Sequence, residues 1–171
     1  MNKLVKKAGV LTLMVTGLLV SQPVIQVTQA QEVNEFQQVF TGERDIDGVV
    51  NAVLTQSSKI NELGMYPSVL IAQGLFESGF GRSLYAVESN NLYGLKEGSG
   101  VAKYSTPGEG VSAYLDLLTN GYYSQYSIGG QLTPDDQIDA LVKAGWSPVG
   151  KEYGVKLKNI IEYYDLTQYD N

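Results

Sequence analysis

Apolar residues recur every three or four positions from Ile46 onward. Ile46, Val49, Val50, Val53, Leu54, Ile60 and Leu63 fall on one face of a helix, with Asp45 or Asp47 placed to cap it and Gly64 to end it. A second helix is predicted from Pro67, a favoured first helical position, through Val69, Leu70, Ile71, Leu75 and Phe76. It is apolar almost all round, which predicts the central buried helix. It stops at Ser78-Gly79-Phe80-Gly81, where two glycines permit a tight turn. Residues 92–95 and 101–104 flank Glu97-Gly98-Ser99-Gly100 and read as a small β-hairpin. Thr106-Pro107-Gly108-Glu109 has the spacing of a capping box and opens a helix through Val111, Tyr114, Leu115 and Leu118. Thr133-Pro134 opens another, which Gly145 ends, and a last helix carries Tyr153, Leu157, Ile160, Ile161 and Tyr164 on one face. Five helices and one hairpin predict a mainly α (α+β) domain over residues 46–171.

The first thirty residues follow a different pattern. Lys3, Lys6 and Lys7 precede an apolar run over residues 8–20, and Thr28-Gln29-Ala30 follows Pro23 with small residues at a cleavage point. This predicts a secretory signal peptide over residues 1–30, followed by a polar lead-in over 31–45. An uncleaved membrane anchor is the alternative, since weak apolarity continues to Val27.

Composition narrows the chemistry. The 171 residues include no cysteine and no histidine. That excludes a thiol nucleophile, a Ser-His-Asp triad, a zinc-finger ligand set and a lipoprotein cysteine. Acid–base work must rest on Asp, Glu, Tyr or Lys, and neither metal nor cofactor is expected. Residues 1–30 hold three of the 12 basic residues and none of the 18 acidic ones, so their removal leaves a net charge of −9. A chain this acidic is repelled by nucleic acid and by anionic membranes, so neither is an expected partner once the signal peptide is cut. A monomer outside the cell is expected, and an exported chain without cysteine fits a Gram-positive surface.

Glu77 stands out for chemistry. It lies at the C-terminal end of the most apolar helix, where partial desolvation and the negative end of the helix dipole favour a protonated carboxyl, the form a general acid needs. Gln73, one turn earlier on the same face, is placed to orient the carboxyl or a substrate. The glycines beyond it leave room for a ligand to approach. In Ser89-Asn90-Asn91-Leu92-Tyr93, the asparagines either form a turn or offer amides to sugar hydroxyl and acetamido groups, and Tyr93 offers a ring for stacking.

The run Ala-Gln-x-x-x-Glu-Ser-Gly-x-Gly-x-Ser, followed by Asn-Asn-Leu-Tyr-Gly-Leu-Lys, resembles the mannosyl-glycoprotein endo-β-N-acetylglucosaminidase-like domains of bacterial autolysins and flagellar peptidoglycan hydrolases. The resemblance covers roughly residues 47–166. It implies a lysozyme-like helical fold with one small β-lobe, and a secreted enzyme hydrolysing the β-1,4 bond after N-acetylglucosamine in peptidoglycan glycan strands. It implies Glu77 as the general acid and Asn91 and Tyr93 as a substrate wall. Tyr104 matches an aromatic on the cleft side of the lobe, and Trp146 falls where a cleft tyrosine is usual.

One departure is clear. Longer family members carry a second carboxylate in a Thr-x-Glu pattern on an extended lobe, and this lobe is short and lacks it. Glu97 at the hairpin is the candidate, Glu109 being explained by its capping box. The substrate's own acetamido group or an unassisted water is the alternative. A muramidase, a lytic transglycosylase and a non-catalytic glycan-binding protein remain the competing readings.

Overall fold

The fold is arranged around one buried helix, α3 (Pro67–Glu77), in a computed structural model that describes residues 43–170. The expected signal peptide and all of the lead-in but residues 43–45 lie outside the described residues. Among the described residues, α1 (Arg44–Leu54), α2 (Ser57–Glu62) and α4 (Leu84–Ser89) complete the first half. The hairpin β1 (Lys96–Glu97) and β2 (Gly100–Val101) leads to α5 (Pro107–Thr119) and a 3₁₀ helix (Gly121–Tyr126). Then come α6 (Pro134–Lys143), α7 (Lys151–Tyr163) and a short 3₁₀ helix (Leu166–Tyr169). None of these helices is long and apolar enough to cross a membrane.

Residues 67–75 of α3 are buried at every position, as expected from its apolar sequence. Burying its N-terminus strands backbone donors that must find partners elsewhere. Two distant side chains supply them: Gln137 Oε1 accepts from the Tyr66 N–H at 2.7 Å, and Asp170 Oδ1 accepts from the Ser68 N–H at 2.8 Å. α3 packs against α1, α6, α7 and the final 3₁₀ helix. Gly74 lets α1 approach closely, since a Cβ there would lie 3.1 Å from Val49 Cγ1.

The single helix expected over 46–63 is two. Thr55 and Ser57 donate their hydroxyls to the carbonyls of Ala52 and Leu54, both at 2.7 Å. These bonds compete with the helix ladder and break it at Gln56. Beyond Glu77 the chain turns through Gly79, Phe80 and Gly81, all at positive φ. A Cβ on Gly81 would meet Asp45 O at 2.8 Å, so this glycine makes room for α1 rather than for a ligand. α4 was not expected from periodicity because it buries only Ala86 and Ser89. Its signal is local: Ser83 Oγ caps it by accepting from the Ala86 N–H.

The hairpin is shorter than expected and lies further along on its first side. Lys96 pairs with Val101 and Glu97 with Gly100, while residues 92–93 form a turn and 94–95 are irregular. The N-cap bond expected of the Thr106 capping box forms, with Thr106 Oγ1 accepting from the Glu109 N–H, and Thr133 Oγ1 caps the helix it opens by accepting from the Asp136 N–H. Glu109 Oε2 accepts in return from the Ser105 N–H, so its carboxylate is occupied structurally. α5 and the β-lobe meet at Gly110, where an added Cβ would collide with the Asn90 carbonyl oxygen and lie 3.0 Å from Tyr104 Cδ2. Gly110→Ala must push backbone apart, and is expected to cost about 2 kcal/mol of stability, read as a lower urea midpoint at unchanged m-value.

Candidate active site

Glu77, the last residue of α3, is partly buried and is held by residues from the far end of the chain. Its Oε1 accepts from Trp146 Nε1 at 3.0 Å and from the Tyr153 hydroxyl at 2.9 Å. Local geometry explains how both reach it. Gly145, at φ +69°, turns the chain back after α6, and the Trp146 N–H donates to Leu141 O. Tyr153 sits in the first turn of α7, its ring edge-on to Phe76 at 5.5 Å.

One turn before Glu77, Gln73 is fully buried. Its Nε2 donates to the Tyr153 hydroxyl at 3.1 Å, and its Oε1 accepts from the Tyr114 hydroxyl at 2.7 Å. The result is a continuous run from Tyr114 through Gln73 and Tyr153 to Glu77. Tyr114 is stacked on Tyr93 with ring centroids 3.7 Å apart, and the Tyr93 hydroxyl donates to Leu70 O at 3.1 Å. Burial pushes the Tyr93 and Tyr114 hydroxyls up from the ordinary tyrosine range. Tyr153 is raised by burial first and by the charge of Glu77 second. All three therefore stay protonated at physiological pH, and Tyr153 always has a proton to donate to Glu77.

The structure separates the expected site residues into two groups. Glu77 and Trp146 meet at the end of α3, while Gln73, Asn91 and Tyr93 are 0%, 1% and 3% exposed. The expected substrate wall of Asn91 and Tyr93 is therefore corrected: both support the site from behind. Asn91 Nδ2 donates to Leu95 O and Ala102 O, and its Oδ1 accepts from the Leu95 N–H, each at 2.9 Å. Loop backbone groups needed partners there, and this amide supplies them. Among the described side-chain hydrogen bonds, Gln73 reaches Glu77 through the Tyr153 hydroxyl.

Tyr104 is partly exposed beside the lobe, and burial followed by the charge of Glu97 raises its hydroxyl. Glu97 is exposed on β1. Arg82 pairs with Asp45 at 2.9 Å and Glu43 at 3.6 Å, and the Lys96 ammonium lies over the Tyr85 ring. Among the described residues no cluster of three or more acids is placed to hold a metal ion. Tyr114 and Tyr153 were read from the sequence only as helix-face residues. Their signal was a hydroxyl on an otherwise apolar face, which must find a partner when buried.

The hydrogen-bonded run predicts a measurable coupling. Gln73→Met keeps the length but strands the buried Tyr114 hydroxyl and deprives Tyr153 of a donor. It is expected to lower unfolding free energy by about 2–4 kcal/mol, measured by urea denaturation; unchanged stability would contradict the run as a structural unit.

Comparison with known proteins agrees with this architecture. The family model for mannosyl-glycoprotein endo-beta-N-acetylglucosaminidase matches residues 56–166. An N-acetylmuramoyl-L-alanine amidase domain-containing protein of Staphylococcus aureus is 32% identical over 136 residues, covering 63% of this chain and 22% of that protein. The exo-glucosaminidase LytG of Bacillus subtilis is 28% identical over 188 residues, covering 94% of this chain and 62% of LytG. The chain thus spans less than two thirds of the length of either relative. The catalytic domain of the autolysin Auto from Listeria monocytogenes superposes with a TM-score of 0.64 at 26% identity, covering 87% of this chain and 100% of that one. The lysozyme-like fold is shared, and this chain is mainly helical with a small two-stranded antiparallel sheet. The match over residues 56–166, with the fold that carries it, shows that the chain belongs to the mannosyl-glycoprotein endo-β-N-acetylglucosaminidase family.

Proposed function

We propose that this chain is a secreted peptidoglycan hydrolase that cleaves the β-1,4 bond after N-acetylglucosamine in glycan strands, with Glu77 as general acid. The observation that carries the reading is the convergence of two fixed donors on one oxygen of the Glu77 carboxyl. Family membership and the likeness to an autolysin and an exo-glucosaminidase support the substrate class. The signal-like N-terminus supports export to the wall.

The chemistry follows from where the proton sits. Trp146 and Tyr153 already donate to Oε1, so a proton on the carboxyl resides on Oε2 and is available to the glycosidic oxygen. As that proton leaves, charge develops on the carboxylate, and the two donors are already aimed at it. Such preorganised donors stabilise a developing charge without reorganising during the reaction. Tyr153 is held in the neutral form, so it acts as a donor to Glu77 and not as the base.

Glu97 is the acid of the lobe and the candidate for the second role. It is exposed, and among the described residues its carboxylate makes no hydrogen bond, the pairing with Gly100 being through the backbone. A carboxylate that nothing orients is a poor base or nucleophile, which favours participation by the substrate's acetamido group. The name of LytG favours cleavage from a chain end as a second form of the same reading.

Two variants test these roles, assayed by release of reducing ends from purified peptidoglycan. Glu77→Gln is expected to lower kcat by 10²–10⁴-fold with an unchanged circular dichroism spectrum; retained turnover would remove Glu77 from the reaction. Glu97→Gln is expected to keep turnover within about tenfold of the parent, below the usual contribution of an acid–base group. A loss as deep as that of E77Q would place Glu97 on the reaction path.

A further inference from the structure

The aromatic contacts do not stop at Glu77. Trp146, which donates to the Glu77 carboxyl, lies 5.4 Å from the Tyr123 ring. Tyr123 is edge-on to Tyr122 at 5.1 Å, and Tyr122 is tilted against Tyr126 at 5.5 Å. These three tyrosines come from a single 3₁₀ helix of sequence Gly-Tyr-Tyr-Ser-Gln-Tyr, which carries no charge. They form a connected run of rings starting at Trp146, in which Tyr122 is 60% exposed while Tyr123 and Tyr126 are partly buried against the core.

An exposed tyrosine is ordinary, but this group is held in place. The Tyr122 and Tyr126 hydroxyls are hydrogen-bonded at 3.0 Å. That bond, ahead of burial, raises the Tyr126 hydroxyl above the ordinary tyrosine range. Ser124 Oγ donates to Gly121 O at 2.7 Å and Gln125 Nε2 to Tyr122 O at 2.8 Å, which fixes the turn that bears the rings. Gly121 and Ser127 bracket it in left-handed backbone conformations, at φ +59° and +48°. The ordering entropy of the side chains is thus largely spent before any ligand arrives.

A flat ring with a polar tip suits a pyranose, whose axial C–H groups stack on the ring while its hydroxyls meet the phenol. The absence of charge in this turn fits the uncharged N-acetylglucosamine rings of a strand rather than an anionic peptide stem. We propose that Tyr122, Tyr123 and Tyr126 form an outlying subsite for N-acetylhexosamine residues of the same glycan strand, beyond Trp146 from the cleaved bond. The identity of that strand rests on the Glu77 reading, whereas the stacking surface does not need Glu77 to be catalytic.

Soluble glycan strands freed of stem peptides, titrated calorimetrically into the purified protein, provide the test. Binding is measured in the Glu77→Gln background, so that no substrate is consumed. Adding Tyr122→Ala is expected to weaken strand affinity about tenfold, the loss of one ring stack together with its buried area, while Tyr122→Phe keeps the ring and stays within about twofold. Equal affinity for E77Q and E77Q/Y122A would overturn the subsite, and so would equal losses for the alanine and phenylalanine variants. In the Glu77 parent, Y122A is expected to raise KM on long strands with kcat unchanged, and to leave cleavage of a disaccharide-based aryl glycoside unaltered. Wild-type protein that binds strands but releases no reducing ends would refute the catalytic reading, and the binding comparison would still decide the subsite.

Discussion

The site depends on the polar run inside the apolar helix α3. Gln73 is the only link between the buried Tyr114 hydroxyl and the Tyr153 hydroxyl that reaches Glu77 among the described hydrogen bonds. A buried glutamine is costly unless every polar atom is paired. Here its carbonyl and one amide hydrogen are used by tyrosines from α5 and α7, so the same bonds that offset its burial also fix two helices about α3. Glu77, one turn later, inherits that rigidity through Tyr153 and Trp146. The carboxyl is thereby placed by elements that are far apart in sequence but share one packed centre.

This arrangement makes the remote ends of the chain part of the site. Asp170 near the C-terminal end of the chain and Gln137 on α6 satisfy the buried start of α3, while Trp146 and Tyr153 clamp its other end. Asn91 and Tyr93 belong to the same scaffold. One pins the backbone that leads into the hairpin, and the other stacks under Tyr114. Their burial explains how a short lobe can be held in place with only two paired positions in its sheet. Of this group, Glu77, Trp146 and the partly exposed aromatics beside them are the side chains that burial leaves open.

Much of the fold was legible in the sequence because its signals were local. The all-round apolarity of α3, Pro67 at its start, the capping box at Thr106 and the Thr133-Pro134 helix start each specify an element without reference to the rest of the chain. The break at Gln56 was hidden because it depends on two hydroxyls outcompeting a ladder that the apolar spacing otherwise supports. α4 was hidden because it has too few buried positions to create a period. The site was legible in part. Glu77 and Trp146 were recognisable by type and motif, but Tyr114 and Tyr153 join Gln73 across 41 and 80 residues, a pairing that no local pattern encodes. Asn91 and Tyr93 misled for a physical reason: their residue types suit sugars and also suit a buried turn, and only the packing decides.

The central claim concerns which bond this scaffold was built to break. It is tested most directly by digesting purified peptidoglycan with the wild-type protein and identifying the products by mass spectrometry before and after borohydride reduction. The account predicts fragments ending in reducible N-acetylglucosamine. Ends in reducible N-acetylmuramic acid or in its anhydro form would contradict it, moving the reaction to the other glycosidic bond of the strand.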